Sequence, residues 1–351
     1  MGDDPAMNVH FEVGHPAHVH LFKHAIGELA DRGHETLVTA REKEVTTDLL
    51  DAYGIDYQVL SEQSDTTPGL LLEWAMRELK LIRAIRRFDS DVVVSHLSPV
   101  AAQAATLTGT PSVTFTDDEV ATRSLSKLTI PFTSKVCTPA CFEMEFGTKH
   151  RRYDGYHELA YLHPDRYAPD PARLRDHGVA VDEPYYVLRF VSWAAHHDVG
   201  ESGISTEGKR ELVEYLSQGG EVYITSESPL PPAFEAHRLP VPPELIHDLL
   251  FYADGYVGDS QTMAIEAGVL GTPAIRTNSF VGNSDLSTFR ELESHGLVYN
   301  LNEERAAIEK MKEFVEDPET AAKWERRRSQ LLAERQDVTD VVVEETLGAA
   351  G

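Results

Sequence analysis

Short β-rich runs alternate with amphipathic segments along almost the whole chain, and this alternation constrains the fold more than any other feature. The runs of the first half are Asn8–Val13, Glu35–Ala40, Asp56–Leu60, Asp91–His96, Pro111–Thr116 and Ser134–Pro139. The runs of the second half are Tyr185–Phe190, Glu221–Thr225, Gly255–Ser260, Thr272–Thr277 and Gly296–Asn300. Strands that alternate with helices form parallel sheets covered by helices on both faces. The sequence therefore predicts an α/β protein.

A proline-rich, charged stretch near residues 164–184 separates two regions of this alternation. Boundaries between domains fall in such segments. We expect an N-terminal Rossmann-like domain over residues 1–165, a linker over 166–184 and a C-terminal Rossmann-like domain over 185–337. The predicted architecture is two doubly wound domains that face each other across a cleft.

The charge of the chain excludes one class of partner. The 351 residues include 58 acidic and 32 basic side chains, which gives a net charge of −26. Such an excess repels phosphate backbones, so nucleic acid is not expected as a partner. Because the acidic residues are spread over the whole chain, we favour adaptation to high internal salt over an ordinary acidic enzyme. The start of the chain lacks the pattern of a signal peptide, and we expect a cytoplasmic protein.

The stretch "GHPAHVHLFKH", residues 14–24, places four histidines at a junction between a strand and a helix. Metal binding, acid–base chemistry and a simple turn of the chain all fit these letters. His20 and His24 are spaced i, i+4 on the predicted helix, but no carboxylate accompanies them as in the H-E-x-x-H zinc motif. We expect no metal site and place both histidines in packing or surface positions.

Several other polar residues follow predicted strands of the first half. Ligands of open parallel sheets bind at the carboxyl ends of the strands. His15 and His18 follow the first strand and Arg41 the second. His96 and Ser98 follow the fourth strand, and Asp117 and Glu119 follow the fifth. We therefore expect these side chains at one rim.

In the second half, "GDSQTMAIEAGVLGTP" (residues 258–273) passes from a strand through a polar turn into a helix that begins near Ser260. The free N–H groups of a helix start form a natural anion site. Glu266, nearly two turns later, could bind a ribose. Equally, Ser260 could merely cap the helix while Glu266 stays on the surface. Arg189, at the end of a predicted strand, could bind a diphosphate or form a structural ion pair.

These motifs resemble a known family. "HVHLFKHAIGELADRGHETLVTARE", "SHLSPVAAQAA", "TFTDDE", "YDGYHELAYLHP" and "GDSQTMAIEAGVLGTPAIR" are similar to a predicted archaeal glycosyltransferase family catalogued as domain of unknown function 354. That family resembles MurG-type glycosyltransferases and the non-hydrolysing UDP-GlcNAc 2-epimerases. The resemblance implies the GT-B fold, with the nucleotide on the C-terminal domain and a last helix, residues 338–351, that returns to the N-terminal domain.

The resemblance also implies site residues. Ser260 and Glu266 match the serine and glutamate that hold phosphate and ribose in MurG-like enzymes, whereas Gln261 replaces their usual glycine. In the N-terminal domain, "GHPAHVH" stands where MurG has a glycine-rich loop. GT-B enzymes often supply a base from this region, so His18 is the first candidate for the catalytic base and His15 the second. The arginine and glutamate of the epimerases' first loop are missing.

The resulting hypothesis is a metal-independent glycosyltransferase without a cofactor, whose donor is a nucleotide sugar, expected to be a UDP-sugar. Arg189, Ser260, Thr262 and Glu266 are the predicted donor-binding residues. The predicted acceptor-side residues are Arg41, His96, Ser98, Asp117 and Glu119. Two alternatives remain, which are a nucleotide-sugar 2-epimerase and a non-catalytic nucleotide-sugar-binding regulatory protein.

Residues 68–88 add a hypothesis about the acceptor. This predicted helix combines Trp74 and several leucines with Lys80, Arg83, Arg86 and Arg87. A basic amphipathic helix is typical of membrane surfaces. A lipid-linked acceptor and a peripheral position at the inner membrane face would explain this pattern. A helix that packs on the core, with a basic stripe beside acidic neighbours, explains it as well.

Overall fold

The computed structural model describes residues 5–43, 45–62, 67–190, 204–226, 229–277 and 285–350, with side chains in the helix that begins at Thr67 described from residue 73 onward. The chain forms two compact units. The first comprises Met1–Arg166 together with Gln336–Gly351, and the second comprises Tyr167–Arg335. The segment "SWAAHHD" at residues 192–198, which follows the predicted strand Tyr185–Phe190, lies outside the described residues.

The first unit is built on a parallel sheet of seven strands. In chain order the strands are β1 (Asn8–Val13), β2 (Glu35–Glu42), β3 (Tyr57–Glu62), β4 (Val92–His96), β5 (Ser112–Phe115), β6 (Lys135–Pro139) and β7 (His150–Tyr153). Their order across the sheet is β3-β2-β1-β4-β5-β6-β7. The central strands are almost completely buried, as in β4, where Val92, Val93 and Val94 are inaccessible to solvent. Burial on both faces explains why β4 is a continuous apolar run rather than an alternating one.

Helices connect these strands. They are α1 (Pro16–Asp31), α2 (Thr46–Ala52), α3 (Thr67–Phe88), α4 (Pro99–Thr108), α5 (Glu119–Thr129) and α6 (Leu159–Leu162). Helix α1 ends where Gly33 takes a φ of +88°, a conformation that favours glycine. Helix α3 packs its residues Leu81 and Ile85 against Val93 and Val100, so part of this basic helix faces the core.

The second unit has a parallel sheet of five strands, in the order β12-β11-β10-β8-β9. Its elements are α7 (Pro171–Asp176), β8 (Tyr185–Arg189), α8 (Thr206–Leu216), β9 (Glu221–Thr225), α9 (Ile246–Tyr252), β10 (Gly255–Gly258), α10 (Gln261–Leu270), β11 (Ala274–Thr277), α11 (Ser287–Ser294), β12 (Val298–Leu301), α12 (Glu304–Glu316) and α13 (Thr320–Ala333). Helix α7 lies within residues 166–184, and the hydroxyl of Tyr167 donates to Asp248 Oδ1 at 3.0 Å.

The last helix, α14 (Val338–Ala350), belongs to the first unit. Val338 and Val342 are fully buried there, and the Thr339 hydroxyl donates to the carbonyl of Ala160 at 2.6 Å. Lys135 Nζ lies 2.5 Å from Glu345 Oε2, which ties the helix to β6. The end of the chain thus completes the core of the unit in which the chain begins.

Each sheet has one point at which the strand order reverses, between β1 and β4 in the first and between β8 and β10 in the second. Connections leave such a pair of strands toward opposite sides and open a crevice at their carboxyl ends. Residues just after β1 and β4, and just after β8 and β10, are therefore best placed to contact a ligand. Within the described part of the chain, no helix has the length and apolar character needed to cross a membrane.

Candidate functional site

The reversal point of the first sheet brings together His18, His96, Asp117 and His157. His18 lies in the first turn of α1, and His96 is the last residue of β4. Their ring centroids are 4.5 Å apart, and the centroids of His96 and His157 are 5.1 Å apart. Three separate parts of the chain therefore converge on one cluster of imidazoles.

Asp117 joins two of these imidazoles. Its Oδ1 lies 3.2 Å from His96 Nε2, and its Oδ2 lies 3.2 Å from His157 Nδ1. Burial by itself raises the pKa of Asp117, but the charge and hydrogen bond of His157 and the hydrogen bond of His96 outweigh it and hold the pKa well below its ordinary value. Asp117 is thus an ionised carboxylate that orients two rings.

The local sequence explains why Asp117, and not its neighbour, faces the cluster. Asp118 is the N-cap of α5, and its Oδ1 accepts from the Ala121 N–H at 2.8 Å. Glu119 is buried, and its Oε1 accepts from the backbone N–H of Glu143 at 3.4 Å. Of the predicted acidic residues at this rim, the structure brings Asp117 to the histidines and gives Glu119 a backbone partner.

The two histidines of the first loop have different surroundings. His15 is the N-cap of α1, and its Nδ1 accepts from the Ala17 N–H at 3.2 Å. His18 Nδ1 accepts from the Gly14 N–H at 3.2 Å, so a neutral His18 ring carries its proton on Nε2. Burial, and then the nearby histidines, lower the pKa of His18 well below its ordinary value, and this keeps the ring neutral.

A cavity of about 530 Å³ adjoins the cluster, and His18 and His96 form part of its wall. Predicted residues Arg41 and Ser98 also line it. Ser98 caps α4 by accepting from the Ala101 N–H at 3.2 Å. Between His96 and Ser98, Leu97 has a φ of +37°, which a leucine rarely adopts. Such backbone strain is concentrated at functional sites, because only a well-determined surrounding structure maintains it.

Sequence reasoning missed several residues of this site. Glu12, Glu73, Trp74 and Arg77 line the same cavity, and the sequence analysis named only Trp74 among them, as part of a basic amphipathic helix. His157 lies in the motif "YDGYHELAYLHP", which supported the family resemblance without giving this histidine a role. Its Nε2 is buried without a hydrogen-bond partner among the described residues.

His96, Asp117 and His157 could also hold a metal ion, since one ligand atom from each lies within 4.8 Å of the others. Two imidazoles and a carboxylate suit zinc. The same atoms hydrogen-bond to one another, so the geometry fits a metal-free arrangement as well. His20 and His24 lie outside this trio: the ring of His20 stacks on Tyr161 with centroids 5.2 Å apart, whereas His24 is half-buried.

In the second unit, the predicted donor-binding residues surround the reversal point of the second sheet. Arg189 ends β8, and its Nη1 donates to Thr225 Oγ1 at 3.2 Å. Ser260 is the N-cap of α10 and accepts from the Met263 N–H at 3.4 Å, and Thr262 lies half-buried in the first turn. A side chain at Gly258 would clash with the Arg189 carbonyl, because an added Cβ would lie 2.8 Å from that oxygen.

Glu266 has a partner that the sequence did not reveal. The residue is buried at 3% exposure, and its Oε1 lies 2.9 Å from Nε2 of the buried His247. The Glu266 carboxylate is therefore neither a solvated surface charge nor open to a ribose in this arrangement. Its contact with ribose stays a prediction.

The segment 68–88 corresponds to α3, and it both packs and exposes apolar groups. Met76 and Leu79 are 46% and 49% exposed, and Arg83, Arg86 and Arg87 are exposed as well. The same helix directs Glu73, Trp74 and Arg77 to the cavity. Attachment to a membrane stays a prediction.

Known proteins resemble this chain in sequence and in fold. A family model described as "Protein of unknown function (DUF354)" matches residues 7–350. An uncharacterized protein of Methanocaldococcus jannaschii is 23% identical over 279 residues, which are 77% of this chain and 81% of that protein.

Solved structures share the fold at low identity. Spinosyn forosaminyltransferase SpnP has a TM-score of 0.63 at 14% identity and covers 98% of this chain and 100% of its own. A putative UDP-N-acetylglucosamine 2-epimerase from Listeria monocytogenes has a TM-score of 0.66 at 13% identity, with 97% and 95% covered. The UDP-GlcNAc 2-epimerase from Neisseria meningitidis, bound to UDP-GlcNAc, has a TM-score of 0.62 at 15% identity, with 97% and 99% covered. The α/β fold of the GT-B type expected from the sequence is confirmed.

Proposed function

The chain belongs to the DUF354 family, and from this premise we propose that it transfers a sugar from a nucleotide-sugar donor to a hydroxyl group of an acceptor. One observation carries the proposal. The imidazole of His96 is oriented by Asp117 and lies in the wall of a cavity at the reversal point of the first sheet. A glycosyl transfer of this kind needs a proton acceptor for the attacking hydroxyl and stabilisation of the leaving diphosphate.

His96 supplies the proton acceptor. Its Nε2–H donates to the ionised Asp117, which leaves Nδ1 with a lone pair. When the hydroxyl attacks the anomeric carbon, its proton passes to Nδ1, and Asp117 stabilises the imidazolium that forms. The C–O bond to the new acceptor forms as the bond to the diphosphate oxygen breaks, so the diphosphate leaves with the electron pair.

This assignment moves the base from His18 to His96. A neutral His18 has its proton on Nε2, because Nδ1 accepts from the Gly14 N–H. His18 therefore acts as a hydrogen-bond donor beside the acceptor, and its lowered pKa keeps it from becoming a competing cation. His15 caps α1 and holds the loop in place.

The donor binds to the second unit in this proposal. The start of α10 offers free N–H groups and the positive end of a helix dipole to the diphosphate, and Arg189 supplies a guanidinium at the neighbouring strand end. Ser260 and Thr262 contribute hydroxyl groups at the same helix start. The similarity to structures of glycosyltransferases and epimerases supports a nucleotide sugar as the ligand.

An epimerase is the second candidate, because UDP-GlcNAc 2-epimerases share the fold with TM-scores as high as those of the transferases. The two functions differ in their products. A transferase releases a nucleoside diphosphate and needs an acceptor for full turnover, whereas an epimerase converts the nucleotide sugar to its 2-epimer without any acceptor.

The test begins with a screen of nucleotide sugars for thermal stabilisation in molar KCl, followed by assays of nucleoside diphosphate release. We expect His96→Gln to lower kcat about 10²- to 10⁴-fold, which is the usual contribution of a general base, and to leave nucleotide stabilisation unchanged. Arg189→Ala should weaken that stabilisation, and the exposed His177→Gln serves as the control. Glu266→Gln tests the predicted contact with ribose.

Three results would contradict the proposal. Full turnover by His96→Gln would show that His96 is not the general base. Formation of the 2-epimer without an acceptor would identify the protein as an epimerase. Loss of activity with EDTA, restored by zinc, would reassign His96, Asp117 and His157 to a metal. We expect EDTA to have no effect.

A further inference from the structure

We infer that the acceptor is itself a sugar, and that one of its rings binds in the cavity of the first unit between Trp74 and two carboxylate–guanidinium pairs. The role of this subsite as an acceptor site rests on the proposed function, whereas its chemistry stands on the lining of the cavity alone.

The four charged side chains of the cavity form two carboxylate–guanidinium pairs. Arg41 donates from Nε to Glu73 Oε1 at 2.7 Å and from Nη2 to Glu73 Oε2 at 2.9 Å. Arg77 Nη2 forms an ion pair with Glu12 Oε1. Because each guanidinium is neutralised, the wall offers neither net positive charge to a phosphate nor net negative charge to an amine. The matching ligand is neutral and rich in both donors and acceptors.

These pairs are held rigidly, as recognition of hydroxyl groups requires. Glu73 also accepts from the Ser61 hydroxyl at 2.9 Å, and the Glu12 side chain is only 1% exposed. Gly14 lets the second pair approach the chain closely, since an added Cβ would lie 3.2 Å from Arg77 Nη2. Hydrogen bonds from charged, preorganised groups are stronger than those between neutral groups.

The Glu12–Arg77 pair is also incomplete. Glu12 Oε2 and Arg77 Nε are buried and have no hydrogen-bond partner among the described residues. A buried polar atom that lacks a partner is unfavourable. A small rotation of either side chain toward the cavity would give one acceptor and one donor to neighbouring hydroxyl groups, which is the pattern of a sugar ring.

Trp74 supplies the apolar surface. It packs against the cluster that contains Leu60, Leu81 and Val100, and it also lines the cavity. A sugar ring has an apolar face of C–H groups that an aromatic ring covers well, whereas a lipid chain needs apolar walls all round. Leu97, Pro99, Val100 and Leu125 also line this cavity, but the indole shares the wall with four charged residues and two histidines, which favours the sugar over the lipid.

The position of this subsite fits transfer. His18 and His96 line the same cavity as Trp74, so a bound sugar would present a hydroxyl beside the proposed base. The volume of about 530 Å³ lies within the range of about 300–1,000 Å³ that is typical of small-molecule sites.

The experiment measures saturation-transfer NMR and tryptophan fluorescence on the full chain with methyl glycosides of glucose, mannose, galactose and N-acetylglucosamine. We expect at least one glycoside to bind. Glu73→Gln and Trp74→Leu should each weaken its binding about tenfold or more, because each removes a strong contact. Glu78→Gln, on the same helix but not in the cavity wall, should leave binding unchanged. Trp74→Phe keeps an aromatic face and should retain part of the affinity.

The inference is overturned if no glycoside binds, or if Glu73→Gln, Trp74→Leu and Glu78→Gln bind the glycoside equally well. Saturable binding of dodecyl phosphate without binding of any glycoside would instead identify a lipid phosphate site. Nucleotide-sugar stabilisation, measured on the same variants, reports the second unit. If no nucleotide sugar stabilises the unmodified chain, the proposed function is refuted but the sugar site is not. Glycoside binding would then still identify a sugar site.

Discussion

Two histidines with nearly the same sequence context, His15 and His18, show how local hydrogen bonds assign roles. His15 accepts from the Ala17 N–H at the start of α1. His18 accepts from the Gly14 N–H, so its proton is on Nε2. His96, which the sequence analysis predicted on the acceptor side, is oriented by Asp117. A side chain's chemistry here depends on which of its atoms is already engaged.

A pH prediction concerns His10, a buried residue of β1. Burial lowers the pKa of His10 from 6.5 to about 3, and its neutral ring contacts the hydroxyls of Thr39 and Ser90. Between pH 6.5 and about pH 3, the unfolded chain therefore binds a proton at His10 that the native state does not bind. We expect this residue to contribute a loss of about 1.4 kcal/mol in unfolding free energy for each pH unit below 6.5. The stability it supplies is fully present above pH 6.5.

Urea unfolding between pH 7 and pH 5 measures this contribution. His10→Gln should lower the pH slope by about one proton relative to the unmodified chain. The comparison uses slopes, so an overall loss of stability in His10→Gln does not affect it. An unchanged slope in His10→Gln would contradict the burial argument.

At the scale of elements, each predicted strand overlaps an observed one, and central strands such as β4 and β5 are buried runs rich in β-branched residues. The strand β7 (His150–Tyr153) was not predicted from the sequence. Its residues "HRRY" are polar and lie at the sheet edge, so they carry no hydrophobic pattern. Only pairing with β6 makes this segment a strand.

Helix α14 provides a prediction at this scale. Val342 is fully buried in the first unit, although it is separated by a whole second unit from the rest of that core in sequence. Val342→Ala removes the equivalent of two buried methylene groups, and we expect a loss of about 2 kcal/mol in unfolding free energy.

Denaturant unfolding, followed at the transition of the first unit, measures this change in unfolding free energy. Glu344→Ala, an exposed change on the same helix, should alter stability by less than about 0.5 kcal/mol. Equal effects of the two variants would show that the helix does not contribute to the core in solution.

The whole molecule is dominated by its charge of −26. Repulsion among carboxylates favours the unfolded chain, and salt shortens its range from about 10 Å at 0.1 M to about 3 Å at 1 M. We therefore expect the thermal midpoint to rise with KCl up to molar concentration.

Thermal scans in KCl test this expectation, with sucrose series as a control for exclusion effects that do not depend on charge. A midpoint that does not change between about 0.1 M and about 1 M KCl would refute the role of screening. It would also remove the basis for adaptation to high salt.

The sequence by itself determined the α/β class, most strand positions and the rims at which polar residues gather, because periodicity and strand ends are local properties. It also determined that Ser260 begins a helix, since a cap needs only its own turn. The tertiary structure decided which polar residues meet. Asp117 joins His96 to His157, and Arg41 meets Glu73, across separations in sequence that no local pattern records. Likewise, only packing revealed that Glu266 is buried against His247.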